Sequence, residues 1–139
     1  DFVEFEKNAK DHMTPSTPCI SLLYGLEHKL GEIFAEGIAN RHARHATLNA
    51  MIHAWVARHG FEHFAPEGYR SVTLTTVANN KNLDLSRWNK ILQKDYKIAI
   101  NMGYGKIKDI TFRISNMGDE TAETIGELIE ALDGSLAKL

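Results

Sequence analysis

Asn101-Met-Gly-Tyr-Gly-Lys-Ile-Lys-Asp-Ile-Thr-Phe-Arg-Ile-Ser-Asn-Met-Gly-Asp119 holds a glycine-spaced turn, a short apolar strand and the approach to a final helix. In an alternating strand Phe112 and Ile114 share one face and Arg113 points to the other. The guanidinium then reaches solvent, pairs with a carboxylate of the chain or meets an anion in a cleft, and its planar fork suits a carboxylate in a way lysine cannot copy. Gly118 follows the strand, and Asp119 and Thr121 offer N-caps for the helix beyond it. A strand that runs into a helix start is a common place to hold a ligand.

Working outward, the final helix is predicted over residues 121–136, where Ile125, Leu128, Ile129, Leu132 and Leu136 form one apolar stripe. Upstream, residues 97–101 read as a strand, and Asp84 caps a helix carrying Leu85, Trp88, Ile91 and Leu92. The clearest strand is 71–78, β-branched and alternating Val72 and Leu74 against Thr73 and Thr75, with a shorter one at 61–64. A helix over 40–59 puts Leu48, Met51, Ile52, Trp55 and Val56 on its buried face and stops at Gly60. Before it, Thr14-Pro-Ser-Thr-Pro18 reads as a helix entry capped by Ser16 or Thr17. The helix so opened carries Leu23, Leu26, Leu30, Ile33 and Phe34 on one stripe. Gly25 and Gly31 each weaken it by about 1 kcal/mol relative to Ala, so close packing is the expected compensation. The fold class is α+β: a small, mostly antiparallel sheet with helices on one face, preceded by two long helices.

A chain of 139 residues suffices for one domain with a real core and needs neither metal nor disulfide to fold. Its net charge of -2 gives no electrostatic reason to expect nucleic acid or an anionic membrane as partner. No apolar run approaches the roughly 20 residues of a membrane-spanning helix. The single cysteine, Cys19, cannot form an internal disulfide and fits a reducing cytoplasm. Residues 1–13 carry few apolar positions, and the chain enters a charged, helix-like stretch directly from Asp1, which predicts a cut inside a longer protein.

The motif Gly-Tyr-Gly-Lys-Ile-Lys-Asp-Ile-Thr-Phe-Arg-Ile-Ser-Asn-Met-Gly-Asp, with Thr14-Pro-Ser-Thr-Pro18 and the Ile20-Ser-Leu-Leu-Tyr24 helix start, resembles the C-terminal part of class V aminotransferases. These are pyridoxal-phosphate enzymes of the serine–pyruvate, alanine–glyoxylate and phosphoserine kind. The resemblance runs from about Thr14 to the end. It implies that residues 14–139 form the C-terminal small domain of a fold-type I enzyme, and that residues 1–13 are a remnant of the connection from a missing large domain. It implies that Arg113 grips the α-carboxylate of an amino-acid substrate. In enzymes of this kind a threonine in the Thr14–Thr17 loop contacts the cofactor phosphate of the neighbouring subunit, which leaves Thr14 and Thr17 both as candidates and makes the parent a homodimer. Gly103, Tyr104 and Gly105 would shape the pocket wall. The parent would be cytoplasmic and would move an amino group between a small amino acid and a 2-oxo acid. The Schiff-base lysine, the acid partner of the pyridinium nitrogen and the stacking aromatic would lie upstream of Asp1, so no catalytic residue is expected here and the chain alone is expected to be inactive, binding cofactor weakly or not at all. Three residues depart from the family pattern: Met102 stands where a second glycine is frequent, Ser115 where glycine or alanine is usual, and Asn116 where histidine is common.

Other readings carry less. Gly103-Tyr-Gly105 is too short for a dinucleotide loop and precedes a strand, not a helix. His42, His45 and His53 fall on one side of a helix, but without acidic or cysteine companions at ligand spacing they read as a solvated polar face, and no metal is expected. Cys19 has no base partner in sequence and is expected to be a packed thiol. Trp55 and Trp88 sit on core stripes. The competing function is a stand-alone α+β ligand-binding or regulatory module without catalysis.

Overall fold

The computed structural model describes residues 1–139. The chain divides into two compact units, Asp1–Ile38 and Ala39–Leu139.

The first unit holds α1 (Phe2–Lys10) and α2 (Ile20–Glu36). The Asp1 carboxylate caps α1 by accepting from the Val3 amide. Helix α2 starts later than the hydroxyls of the entry loop, because Pro18 steers Thr17 away from helical geometry. Cys19 is its N-cap, no side chain caps the first turn, and neither Ser16 nor Thr17 does what the sequence suggests. The apolar stripe of α2 is not buried: Leu23, Leu26, Leu30 and Phe34 are exposed, and space around Gly25 and Gly31 is open, so the close packing expected there is not seen.

The second unit carries the core. Helix α3 (Ile38–Arg58) is followed by β1 (Glu62–His63), β2 (Leu74–Ala78), α4 (Leu85–Ile91), β3 (Thr111–Ser115) and α5 (Ala122–Leu136). Gly60, at φ +64°, accepts the left-handed backbone that ends α3, as its place in the sequence predicts. The sheet is antiparallel throughout in the order β1-β2-β3, with Val77 opposite Phe112 and Thr75 opposite Ile114. These four residues form its inward face. Helices α3, α4 and α5 cover that face with Leu48, Ile52, Trp55, Val56, Leu85, Trp88, Ile125 and Leu132. No helix is long and apolar enough to cross a membrane.

Two expectations fail for local reasons. Strand β2 turns the other way from the alternation read in its sequence: Thr75 and Val77 point inward, while Val72 is exposed. Thr75 tolerates burial because its hydroxyl accepts from the Asn49 side-chain amide of α3 at 3.1 Å. Residues 97–101 do not form a strand. Helix α4 runs into a wide i→i+5 turn at Leu92–Tyr96, and Lys97 follows in the left-handed conformation at φ +61°. Only Asn101 pairs with the sheet, through an antiparallel bridge to Arg113 on the open edge of β3.

Each tryptophan of the core has its indole N–H satisfied. Trp55 donates to Asp133 at 2.7 Å and Trp88 to the Ser135 hydroxyl at 2.6 Å, both acceptors on α5. Trp88 and Ser135 are fully buried, so removing the acceptor strands a donor where water cannot replace it. Ser135→Ala is expected to cost about 1–3 kcal/mol, seen as a lower urea midpoint at unchanged m-value; a midpoint within error of the parent chain would show that the indole finds another acceptor.

Candidate functional site

A cleft of about 560 Å³ opens along the free edge of β3, between the sheet, the 98–104 segment and the first turns of α5. Arg113 lies in it, with Tyr104 and Asn101 on one side and Glu120, Thr124, Glu127 and Leu128 of α5 and its approach on the other. Burial of Phe112 and Ile114, at 0% and 2% exposure, fixes the strand and turns Arg113 outward as its alternation predicts.

The loop before β3 is built around one side chain. Asn101 Oδ1 accepts from the Gly103 amide at 2.9 Å, closing an Asx turn. The same oxygen accepts from Arg113 Nε at 3.1 Å and Nη2 at 2.7 Å, while the Asn101 carbonyl accepts from the Arg113 amide at 2.8 Å. Gly103 is in the left-handed region at φ +72°, and a Cβ there would lie 2.6 Å from the Ile107 carbonyl oxygen and 2.7 Å from Thr111 Oγ1. Gly105, at φ +55°, has open space around it and starts the short turn Gly105–Ile107. Between the glycines, Tyr104 lays its ring on the guanidinium, 4.3 Å from centroid to Cζ. No carboxylate of the chain forms an ion pair with Arg113, whose side-chain partner is a neutral amide oxygen.

The far end of β3 is strapped to α3. Arg44 donates to the Glu120 carbonyl at 2.6 Å and the Gly118 carbonyl at 3.2 Å, and Arg41 donates to the Gly118 carbonyl at 3.2 Å. Asn116, fully buried, donates to the His45 and Val72 carbonyls, and His45 Nδ1 meets the Asn116 carbonyl at 2.9 Å. Thr121 caps α5 in a reciprocal box with Thr124, each hydroxyl accepting from the other's amide. The segment that leads from β3 into α5 is thereby tied to α3.

Of the glycine turn, Tyr104 lines the cleft beside Arg113, whereas Gly103 and Gly105 are not among the lining residues and act only by shaping the backbone on either side of Tyr104. Thr14 and Thr17 belong to the Asp1–Ile38 unit, exposed ahead of α2, and the Thr14 hydroxyl donates to the Ser16 carbonyl at 2.7 Å. Asn101 is not among the expected site residues, although an asparagine two residues before a glycine signals an Asx turn. Cys19 is exposed, not packed, and its thiol pKa is lowered by hydrogen bonds from Ser21 and the Leu22 amide. Of the three histidines only His42 is exposed, so they do not share a solvated face. His45 is buried as described, and His53 stacks edge-on against His63, ring centroids 4.2 Å apart, in a smaller cleft beside Arg70. No group of three or more metal-ligating side chains converges.

No family model matches the chain. An aminotransferase of Methanocaldococcus jannaschii is 34% identical over 119 residues, covering 85% of this chain and 31% of the relative. A serine–glyoxylate aminotransferase of Methylorubrum extorquens is 32% identical over 123 residues, covering 85% of this chain and 30% of the relative. Among solved structures, an alanine–glyoxylate aminotransferase from Nostoc sp. superposes with a TM-score of 0.81 at 28% identity, covering 91% of this chain and 34% of that one. The chain therefore spans about a third of the length of the relatives it matches.

Two outcomes are expected from this geometry. Gly103→Ala meets both a forbidden φ and a backbone oxygen, so it should destabilise the fold by about 2–4 kcal/mol, against about 1 kcal/mol for Gly105→Ala, which pays for φ alone; equal urea midpoints for the two variants would contradict the tight fit at Gly103. His53 and His63 have lowered pKa values, His53 through burial and then Arg70, His63 through burial, His53 and Arg70. The folded state holds them neutral while the unfolded chain takes up protons near pH 6.5, so stability is present above that pH and is lost as pH falls through it toward the folded values. The loss between pH 7.5 and 5.5, followed by urea titration, should shrink in the His53→Gln/His63→Gln double variant.

Proposed function

The chain belongs to the aminotransferase family, and from that premise we propose that it is the C-terminal small domain of a class V, pyridoxal-phosphate-dependent enzyme acting as a homodimer in the cytoplasm. The parent moves an amino group between a small amino acid and a 2-oxo acid, with glyoxylate, shared by the names of several relatives, as the first acceptor to try. Pyridoxal phosphate, when bound, supplies the electron sink that lets an amino group leave its carbon.

The single observation that supports this reading is Arg113 itself. Its guanidinium stands in a cleft, flanked by Tyr104, and forms no ion pair with a carboxylate of the chain, Glu120 and Glu127 lining the same cleft without reaching it. Such a group is ready for an external carboxylate, and it would orient both the amino donor and the 2-oxo acid by the one feature they share. Residues of the cleft do not fit the cofactor's anchoring requirement: no lysine lines it. Thr14 and Thr17, ahead of the uncapped first turn of α2, are the groups of this chain that we assign to a phosphate, that of the neighbouring subunit's cofactor. Isolated, the domain is inactive. Aminotransferase relatives over 85% of the chain favour this reading over a stand-alone binding module.

Two hydrogen bonds to a charged group are worth about 1.5–3 kcal/mol each. Arg113→Ala in the full-length parent should therefore lower kcat/KM for amino donors by roughly a hundredfold or more, with the cofactor's visible absorbance retained. A specificity constant like that of the parent enzyme would sink the assignment.

A further inference from the structure

A guanidinium offers two edges on which a carboxylate can sit: the side edge, formed by Nε and one Nη, and the end edge, formed by the two Nη atoms. In Arg113 the side edge is taken. Asn101 Oδ1 bridges Nε and Nη2 at 3.1 and 2.7 Å, and the Tyr104 ring covers one face. Nη1 and the second Nη2 hydrogen are left, and they make up the end edge.

We propose that Asn101 is a positioning residue that presents Arg113 to the substrate α-carboxylate by its end edge alone, and that an amide stands there because, unlike a carboxylate, it holds the guanidinium without adding a negative charge against the ligand. The inference rests on the reading of Arg113 as the carboxylate-binding group. Three features make the contact more than a surface hydrogen bond. Oδ1 is itself fixed by the Gly103 amide at 2.9 Å, so it cannot swing away without opening the turn. The Asn101 and Arg113 backbones are paired, which holds the two side chains on the same edge of β3. Tyr104 is delivered by the same turn, so one asparagine sets both the edge and the face of the guanidinium that remain accessible. An aspartate at this position would hold the turn and the arginine equally well, but it would neutralise the charge and oppose an incoming carboxylate.

The test uses the full-length holoenzyme. Dissociation constants for L-serine, L-alanine and L-aspartate are read from the change in cofactor absorbance for the parent and for Asn101→Ala, Asn101→Asp and Arg113→Ala. Because the α-carboxylate is common to the three ligands, Asn101→Ala should weaken all of them by a similar factor, at least about tenfold. Asn101→Asp keeps every acceptor of the turn and folds like the parent, yet it too should weaken all three by at least about tenfold. A residue with only a structural role would leave the Asp variant at parental affinity, and that result overturns the proposal even where the Ala variant is unstable. Unchanged affinities in both Asn101 variants, with Arg113→Ala strongly impaired, would discard the role of Asn101 while keeping Arg113 as the carboxylate site. Parental affinity in Arg113→Ala would remove the underlying reading and this inference with it.

Discussion

Phe112 is the fixed point of the second unit. Its ring is fully buried and meets Trp88, Phe61 and Trp55 edge to face, with centroids 5.1, 5.3 and 6.4 Å away. Aromatic pairs in this arrangement add about 0.5–1.5 kcal/mol each beyond the area they bury, so β3 is tied at one residue to α3, to α4 and to the segment entering β1. The period of a strand does the rest. With Phe112 held inward, residue 113 has one direction left, and the arginine must face the cleft. A slip of one residue would bury the guanidinium and expose the phenyl ring, at a cost no surface contact could offset.

Both ends of β3 are then secured by polar contacts with partners elsewhere in the chain. Ahead of it, the Asx turn of Asn101 and the left-handed Gly103 set the position of Tyr104. Behind it, Arg44, Arg41 and the His45–Asn116 exchange bind the 116–120 segment to α3. These contacts explain why an exposed edge strand of five residues can hold a side chain steadily: the helix on one side and the turn on the other leave it little freedom to move.

What was legible in the sequence follows from which forces are local. The inward face of β3, the stripe of α5, the Asp84 cap of α4 and the Gly60 stop of α3 each depend on a period or a single backbone preference, and each is found where those place it. The inward face of β2 is not legible in the sequence, because hydrophobicity alone favours Val72 and Leu74, whereas Asn49, twenty-six residues away, makes a buried Thr75 acceptable. Residues 97–101 have strand-like composition, yet Lys97 adopts a left-handed conformation that no pattern of apolar residues announces. In the site, the arginine and the glycine turn could be read directly. Asn101 could not be linked to Arg113, because the contact spans twelve residues and needs the bridge between two backbone segments to exist first. The exposed stripe of α2 shows the limit of periodicity, which says which residues share a face and not what lies against it.

The three residues that the resemblance marks as departures, Met102, Ser115 and Asn116, fall in different physical settings, and this bears on how they act. Met102 packs against the core under the glycine turn, and Asn116 spends its side-chain amide on two carbonyls inside the fold. Neither lines the cleft. Ser115 does, beside Arg113, with its hydroxyl accepting from the Met117 amide at 3.2 Å. A change at 102 or 116 therefore reaches a ligand only by moving the backbone that carries Tyr104 or the start of α5, and both are held by several hydrogen bonds. Ser115 alters the cleft wall directly, adding a hydroxyl oxygen where glycine or alanine would leave an apolar or empty surface. Of the three, it is the one whose chemistry a bound molecule would meet first.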